Sequence, residues 1–171
     1  MKLVRKFIII ETSIEFRKSM TNQYLTSGYL DQLDASISRI ESFIETWIKQ
    51  QGLNYNTFAI LYTLATKGSC TQKQIAIEWY LPKQTVFSIC KTLINDGFLV
   101  IKENPDDKRE KFISLTQKGK EYALPLAQKA NEFSHQVFCA YGEKRMQFLL
   151  AEMNALSDVA ERMFLKNTNK E

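Results

Sequence analysis

The sequence has little of what catalytic, metal-binding and secreted proteins usually contain. Its 171 residues include one histidine, His135, and three widely spaced cysteines, Cys70, Cys90 and Cys139, without a CxxC pair. This pattern argues against a zinc site, and free thiols are typical of a reducing compartment. There is no glycine-rich phosphate loop and no serine or cysteine paired with a histidine at a catalytic spacing. There is also no pair of carboxylates accompanied by a second anchoring residue. We therefore expect neither an enzyme nor a bound cofactor or metal.

Long apolar runs and a strong charge of either sign are also missing. The segment Phe7–Ile10 follows basic residues, but charged residues from Glu11 onward interrupt it, which does not fit a signal peptide. No stretch approaches the length that spans a membrane. The 23 basic and 19 acidic residues give a net charge of +4, which supports nucleic-acid contact only weakly. We expect a cytoplasmic protein, and the role of residues 1–21 stays open.

Helical periodicity dominates the rest of the sequence. Apolar residues recur at spacings of three and four, which predicts six helices. In chain order they span 22–50, 55–66, a short segment between Thr71 and Trp79, 82–96, 116–140 and 143–166. Asn54 is a good N-cap for the second helix. Thr71 and Gln74 have the spacing of a capping box, and Gly97 stands where the fourth helix should stop.

A two-stranded ribbon follows the fourth helix. Phe98–Ile101 and Lys111–Leu115 are strand-like, and the loop 104–109 joins them. The third and fourth helices, joined by a turn, define a helix–turn–helix. On the other faces of the fourth helix lie hydrogen-bond donors, none of which is acidic: Lys83, Gln84, Thr85, Ser88 and Lys91. Such a helix can enter the major groove while the ribbon grips the flanking backbone, which favours a reader of double-stranded DNA.

This order of elements resembles the winged helix–turn–helix of the multiple-antibiotic-resistance regulator (MarR) family. The motifs that carry the resemblance are Gly97, Asp107-x-Arg109 and Leu115-Thr116-x-x-Gly119, and it is strongest over residues 53–122. The resemblance implies a mainly α fold with a small β-wing. Residues 53–115 would form the DNA-binding domain, and residues 22–52 and 116–167 would form a helical dimerisation region.

Arg109 is the sharpest candidate for DNA contact in the wing. A guanidinium at a hairpin tip can enter a narrow minor groove, where the negative potential is enhanced. By resemblance, Asp107 holds that side chain in place; the alternative is an ordinary surface ion pair. Lys108 and Lys111 are expected to add phosphate contacts, and Gln84 can pair bidentately with adenine.

The first, fifth and sixth helices carry apolar stripes that one small winged helix cannot cover. We therefore predict a homodimer that binds a pseudo-palindromic operator, with repression as the expected output, as in most of the family. The resemblance also implies regulation by a small aromatic ligand. Phe43, Trp47, Phe58 and Tyr62 could line its pocket, although aromatic residues at helical spacing also fit a core.

Two alternatives to an operator-binding regulator stay open. An exposed Phe87, at a position where family members often carry a polar residue, would favour a winged-helix adaptor that binds another protein. The other alternative is a redox- or metal-responsive regulator. Its candidate redox sensor is Cys70, which lies just before a helix whose dipole would lower the pKa of the thiol. Cys90 is expected to pack in the core, and His135 to be a hydrogen-bonded structural residue.

Overall fold

A computed structural model describes residues 27–103 and 111–168. In these ranges the chain forms six helices and three strands: α1 (Ser27–Gln50), α2 (Tyr55–Lys67), β1 (Ser69–Thr71), α3 (Gln72–Glu78), α4 (Lys83–Asn95), β2 (Leu99–Glu103), β3 (Lys111–Leu115), α5 (Gln117–Tyr141) and α6 (Glu143–Thr168). The chain divides into two compact units, residues 1–127 and 128–171. This mainly helical fold with a small winged sheet confirms the predicted fold class. No helix in the described ranges has the length and hydropathy needed to cross a membrane.

The helix boundaries follow from local capping chemistry. The Asn54 side chain accepts a hydrogen bond from the Thr57 amide at 2.9 Å and starts α2. The predicted capping box at α3 is confirmed: Thr71 Oγ1 accepts from the Gln74 amide at 3.1 Å, and Gln74 Oε1 accepts from the Thr71 amide at 2.7 Å. The predicted first five residues of the first helix, 22–26, lie outside the described residues.

The sheet has one strand more than the sequence predicted. Its order is β1-β3-β2, with both pairs antiparallel. The additional strand is Ser69–Thr71, which pairs with β3 so that Cys70 lies opposite Ile113. Three residues are too few to reveal the alternation by which a strand is recognised, and only the distant β3 makes this segment a strand.

A compact core joins the sheet to the helix–turn–helix. Its members are the buried apolar residues of α2 to β3 and the start of α5: Ile60, Leu61, Leu64, Cys70, Ile75, Ala76, Val86, Cys90, Leu93, Leu99, Ile113, Leu115 and Ala123. Cys90 is completely buried, which confirms its expected packing role. The core therefore fixes one face of α4 and leaves its other face directed outward.

The turn between α3 and α4 contains a left-handed residue. Tyr80 has φ +50°, and among the described residues no other non-glycine has a positive φ. The Leu81 amide donates to the Ala76 carbonyl at 2.9 Å and the Tyr80 amide to the Ile77 carbonyl at 3.3 Å, which closes the end of α3. Pro82 then precedes α4 with φ −60° and ψ 133° as its N-cap. This turn sets the angle between the two helices of the motif.

The segment Leu115-Thr116-x-x-Gly119 anchors the start of β2 to the start of α5. Thr116 Oγ1 donates to the Gly97 carbonyl at 2.7 Å and accepts from the Gly119 amide at 3.0 Å. The Thr116 amide donates to the Phe98 carbonyl at 3.0 Å. A Cβ on Gly119 would collide with that same carbonyl oxygen. The motif that carried the family resemblance therefore has a structural role, which is to hold the base of the wing.

Candidate nucleic-acid interface

The outward face of α4 carries the donors that the sequence predicted. Val86, Cys90 and Leu93 are buried against the core, and residues displaced around the helix from them point away from it. Four of the five predicted contact residues are exposed and the fifth, Thr85, is half-buried; the exposed ones are Lys83, Gln84, Ser88 and Lys91. Their presentation agrees with the prediction, and their contact with DNA stays a prediction.

Within residues 27–103 and 111–168, no ion pair neutralises the lysines of this face. Among residues 27–103 and 111–168, ion pairs join Lys49 to Glu45 and Lys67 to Glu78, and neither Lys83 nor Lys91 takes part in one. Between Lys83 and Asn95 there is no acidic residue. A helix face with free ammonium groups, amides and hydroxyls is suited to phosphate oxygens and base edges.

A shallow cleft of about 370 Å³ lies beside this face. Its lining residues come from α3 and α4, and they are Gln72, Lys73, Lys83, Gln84 and Phe87. The ring of Phe87 is 55% exposed, which is the condition under which the sequence favoured a protein-binding adaptor. The lining set contains two lysines, two amides and no carboxylate, which restricts the chemistry of any occupant.

The wing is described up to its tip. In the antiparallel pair of β2 and β3, Glu103 lies opposite Lys111, and Lys111 is exposed. Asp107, Lys108 and Arg109 lie outside the described residues, so their predicted minor-groove and phosphate contacts stay predictions.

Three of the four residues predicted to line a ligand pocket come together. The rings of Trp47 and Phe58 meet edge to face with centroids 5.9 Å apart, and Phe58 stacks on Tyr62 at 5.5 Å. Trp79, which the prediction did not include, joins them 6.1 Å from Tyr62. Phe43 is 60% exposed and lies under the Arg39 guanidinium, 6.0 Å from its carbon. The cluster packs as a partial core, and its role in ligand binding stays a prediction.

The expectation that the pKa of Cys70 is lowered is wrong. Cys70 is 4% exposed, and burial, with a smaller contribution from Glu78, raises the pKa of its thiol to about 11. Burial also raises the pKa of Cys90 to about 12. Cys70 lies in β1 among the core residues, where desolvation outweighs the dipole of the short helix that follows. Cys70, the candidate redox sensor, is therefore a buried thiol that stays protonated and unreactive.

The third cysteine, Cys139, lies beside the single histidine, His135. Their side chains are exposed one turn apart on α5, with the Cys139 sulfur 3.6 Å from His135 Nε2. His135 thus has a hydrogen-bonding neighbour, as expected, but on the surface rather than inside. The residues that the structure describes contain no group of three or more metal-ligating side chains.

Comparisons with known proteins agree with this geometry. The family model described as "MarR family" matches residues 51–110. The solved structure of NMB1585, a MarR family regulator from Neisseria meningitidis, is 49% identical with a TM-score of 0.75, and the alignment covers 81% of this chain and 98% of NMB1585.

Among curated proteins, the HTH-type transcriptional regulator Hpr of Bacillus cytotoxicus is 32% identical over 121 residues, or 70% of this chain. Hpr of Bacillus thuringiensis is 31% identical over the same length. The match spans 65% of the length of these relatives. The relatives and the family are transcriptional regulators and not enzymes, as expected from the sequence.

Proposed function

Because the chain belongs to the MarR family of DNA-binding, winged helix–turn–helix transcriptional regulators, we propose that it acts as a homodimer that binds a pseudo-palindromic operator in the cytoplasm. The observation that carries the proposal is the outward face of α4, which is rich in donors and whose lysines form no ion pair within the described residues. Residues 53–115 are the proposed DNA-binding domain, and residues 22–52 and 116–167 the proposed dimerisation region.

In the proposed complex, α4 lies in the major groove and the wing lies over the adjacent minor groove. Gln84 carries an amide that can pair bidentately with adenine, and Ser88 and Thr85 carry hydroxyls that can donate to bases or phosphates. Lys83 and Lys91 would neutralise phosphates. The wing would add Lys111 together with the predicted contacts of Asp107, Lys108 and Arg109.

The apolar surface of α6 supports the proposal that the chain dimerises. This helix of 26 residues contains no buried residue, although helices in proteins gain most of their stability from packing an apolar face against a partner. Its exposed large apolar side chains are Phe148, Leu149, Leu150, Leu156, Val159, Met163, Phe164 and Leu165. An isologous dimer would bury such stripes and place two copies of α4 in successive major grooves, about 34 Å apart.

The dimer is tested by sedimentation of the full chain. Leu156→Glu places a charge on the apolar stripe of α6, and we expect it to shift the protein from dimer to monomer. Thr66→Glu adds the same charge at an exposed position of α2, outside the proposed dimerisation region, and should leave the dimer intact. A wild-type protein that sediments as a monomer at micromolar concentration would contradict the proposed assembly.

Regulation would act on the separation of the two α4 helices. The aromatic cluster joins Trp47 of α1 to Phe58 and Tyr62 of α2, so a small aromatic ligand entering there would move a proposed dimer helix relative to the DNA-binding domain. Such a ligand releases DNA only if it binds the released form more tightly. Repression by blocking a promoter, relieved by such a ligand, is the proposed output.

One observation favours a second candidate function. The exposed ring of Phe87 on α4 also fits an adaptor that binds another protein and has no operator of its own. The two functions differ in salt dependence, because displacement of counterions from DNA makes duplex affinity fall steeply with salt. They also differ under competition, since specific DNA binding survives an excess of unrelated duplex.

Selection of bound sequences from a random duplex pool tests the proposed function. We expect the full chain to enrich an inverted repeat with half-site centres about 10 base pairs apart. The Gln84→Ala variant should enrich the same repeat with one position relaxed. A pool that yields no preferred sequence at moderate salt would refute operator binding and leave the adaptor function.

A further inference from the structure

Phe87 is placed where a base-reading side chain would be. It lies three residues after Gln84 and four before Lys91, so these side chains share one side of α4. Two apolar residues near it on the helix, Val86 and Cys90, are completely buried. Phe87 is 55% exposed and is not a member of the buried core.

The residues around Phe87 restrict which kind of molecule can bind in the adjacent cleft. The cleft of about 370 Å³ that it lines also contains Lys73, Lys83, Gln72 and Gln84, without a carboxylate. A protein surface that bound here would need to supply anions beside an apolar group. Duplex DNA supplies both, because the phosphates flank a major groove in which thymine presents an apolar methyl group.

We infer that Phe87 is a specificity-determining residue that reads thymine by packing its ring against the 5-methyl group. This inference rests on the proposed operator binding and deepens it. Gln84, with an amide, and Phe87, with a ring, would then read neighbouring base pairs from successive positions along one side of α4. A thymine at a fixed place in each half-site follows from this arrangement.

Replacing thymine by uracil tests the inference, because it deletes the methyl group and leaves every hydrogen-bonding group of the base pair in place. Duplexes that the full chain selects from a random pool are resynthesised with uracil at one thymine of each half-site in turn. We expect one such thymine to be required, with affinity falling about fourfold for each methyl group removed, which is the value of burying one carbon. The other thymines should tolerate the change.

The Phe87→Ala variant tests whether Phe87 is the residue that senses the methyl group. It should bind the thymine and uracil duplexes with equal affinity, because the ring that senses the methyl group is gone. Ile77→Ala is the matched control: Ile77 is 61% exposed on α3 and does not line the cleft, so this variant should keep the full thymine preference. Thermal unfolding of Phe87→Ala should match that of the wild type, since the ring lies outside the core.

Three results would overturn the inference. Selected duplexes that tolerate uracil at every position would remove the methyl contact while leaving operator binding intact. A Phe87→Ala variant that keeps the wild-type preference for thymine would assign the contact to another residue. A random pool without any enriched sequence would refute the proposed function itself, and the inference would fail with it.

Discussion

Substitution of Gly119 by alanine tests whether the start of α5 really holds the base of the wing. A Cβ at this position would overlap the carbonyl oxygen of Phe98 and would lie 3.2 Å from Leu115 Cδ2. The Phe98 oxygen cannot simply move aside, because it accepts from the Thr116 amide at 3.0 Å and from Thr116 Oγ1 at 3.2 Å. The added methyl group must therefore push the start of β2 away from α5.

The magnitude follows from two opposing contributions. Alanine is favoured over glycine in a helix by about 0.8–1.0 kcal/mol, and forcing an extra methyl group into a packed site costs about 1–3 kcal/mol. Since the obstacle is a hydrogen-bonded backbone atom, we expect the higher cost to apply, which leaves a net decrease of about 1–2 kcal/mol in the free energy of unfolding. For a chain of this size the melting temperature should fall by about 2–8 °C.

Gly28→Ala provides the matched control. Gly28 also lies in a helix, and a Cβ there would meet nothing within 4 Å. This variant should therefore show only the helix-propensity gain, which is at most about 1 kcal/mol. Thermal and urea unfolding would be followed by circular dichroism at one fixed protein concentration. A Gly119→Ala variant as stable as the wild type, or a Gly28→Ala variant that is destabilised as much, would refute the role assigned to the contact.

Three further predictions concern the turn and the thiols. Tyr80→Gly should raise the free energy of unfolding by up to about 1 kcal/mol, because glycine adopts φ +50° without the steric cost that tyrosine bears; a clear decrease of stability in urea unfolding would show that the ring of Tyr80 contributes more than its backbone costs. A thiol reagent at pH 8 should modify the exposed Cys139 and spare Cys70 and Cys90, whose raised pKa values keep them protonated. The raised pKa values of Cys70 and Cys90 also predict how stability depends on pH. The thiols of the unfolded chain ionise near pH 9, whereas the folded ones stay protonated. The contribution of these two thiols to stability is therefore intact below pH 9 and declines as the pH rises toward 11 and 12. Rapid labelling of two or three thiols in the native protein would contradict the burial of Cys70 and Cys90.

The helices could be predicted from the sequence because their ends are decided locally. Asn54, Thr71 and Gly97 each bring their own cap or their own backbone freedom, and the structure places a helix boundary at each of them. The wing strands followed in the same way from two apolar segments around a polar loop.

The features that could not be predicted from the sequence depend on distant partners. Ser69–Thr71 is a strand only because β3 lies beside it, and the burial of Cys70 opposite Ile113 has the same origin. The position of Cys70 before a helix therefore suggested a reactive thiol where packing produces an inert one. Likewise, the spacing of Phe43 and Trp47 on one helix does not reveal that Trp47 meets Phe58 while Phe43 faces solvent.

The salt dependence of operator binding tests most directly whether the outward face of α4 grips duplex DNA. The affinity of the full chain for its selected duplex would be measured from low to moderate salt for the wild type, for the double variant Lys83→Ala/Lys91→Ala, and for Lys129→Ala, which changes an exposed lysine on α5. In the double variant we expect the slope of log affinity against log salt to become shallower by about 0.9 for each phosphate that the protein no longer neutralises. The slope should stay unchanged in Lys129→Ala. An unchanged slope in the double variant would contradict the account.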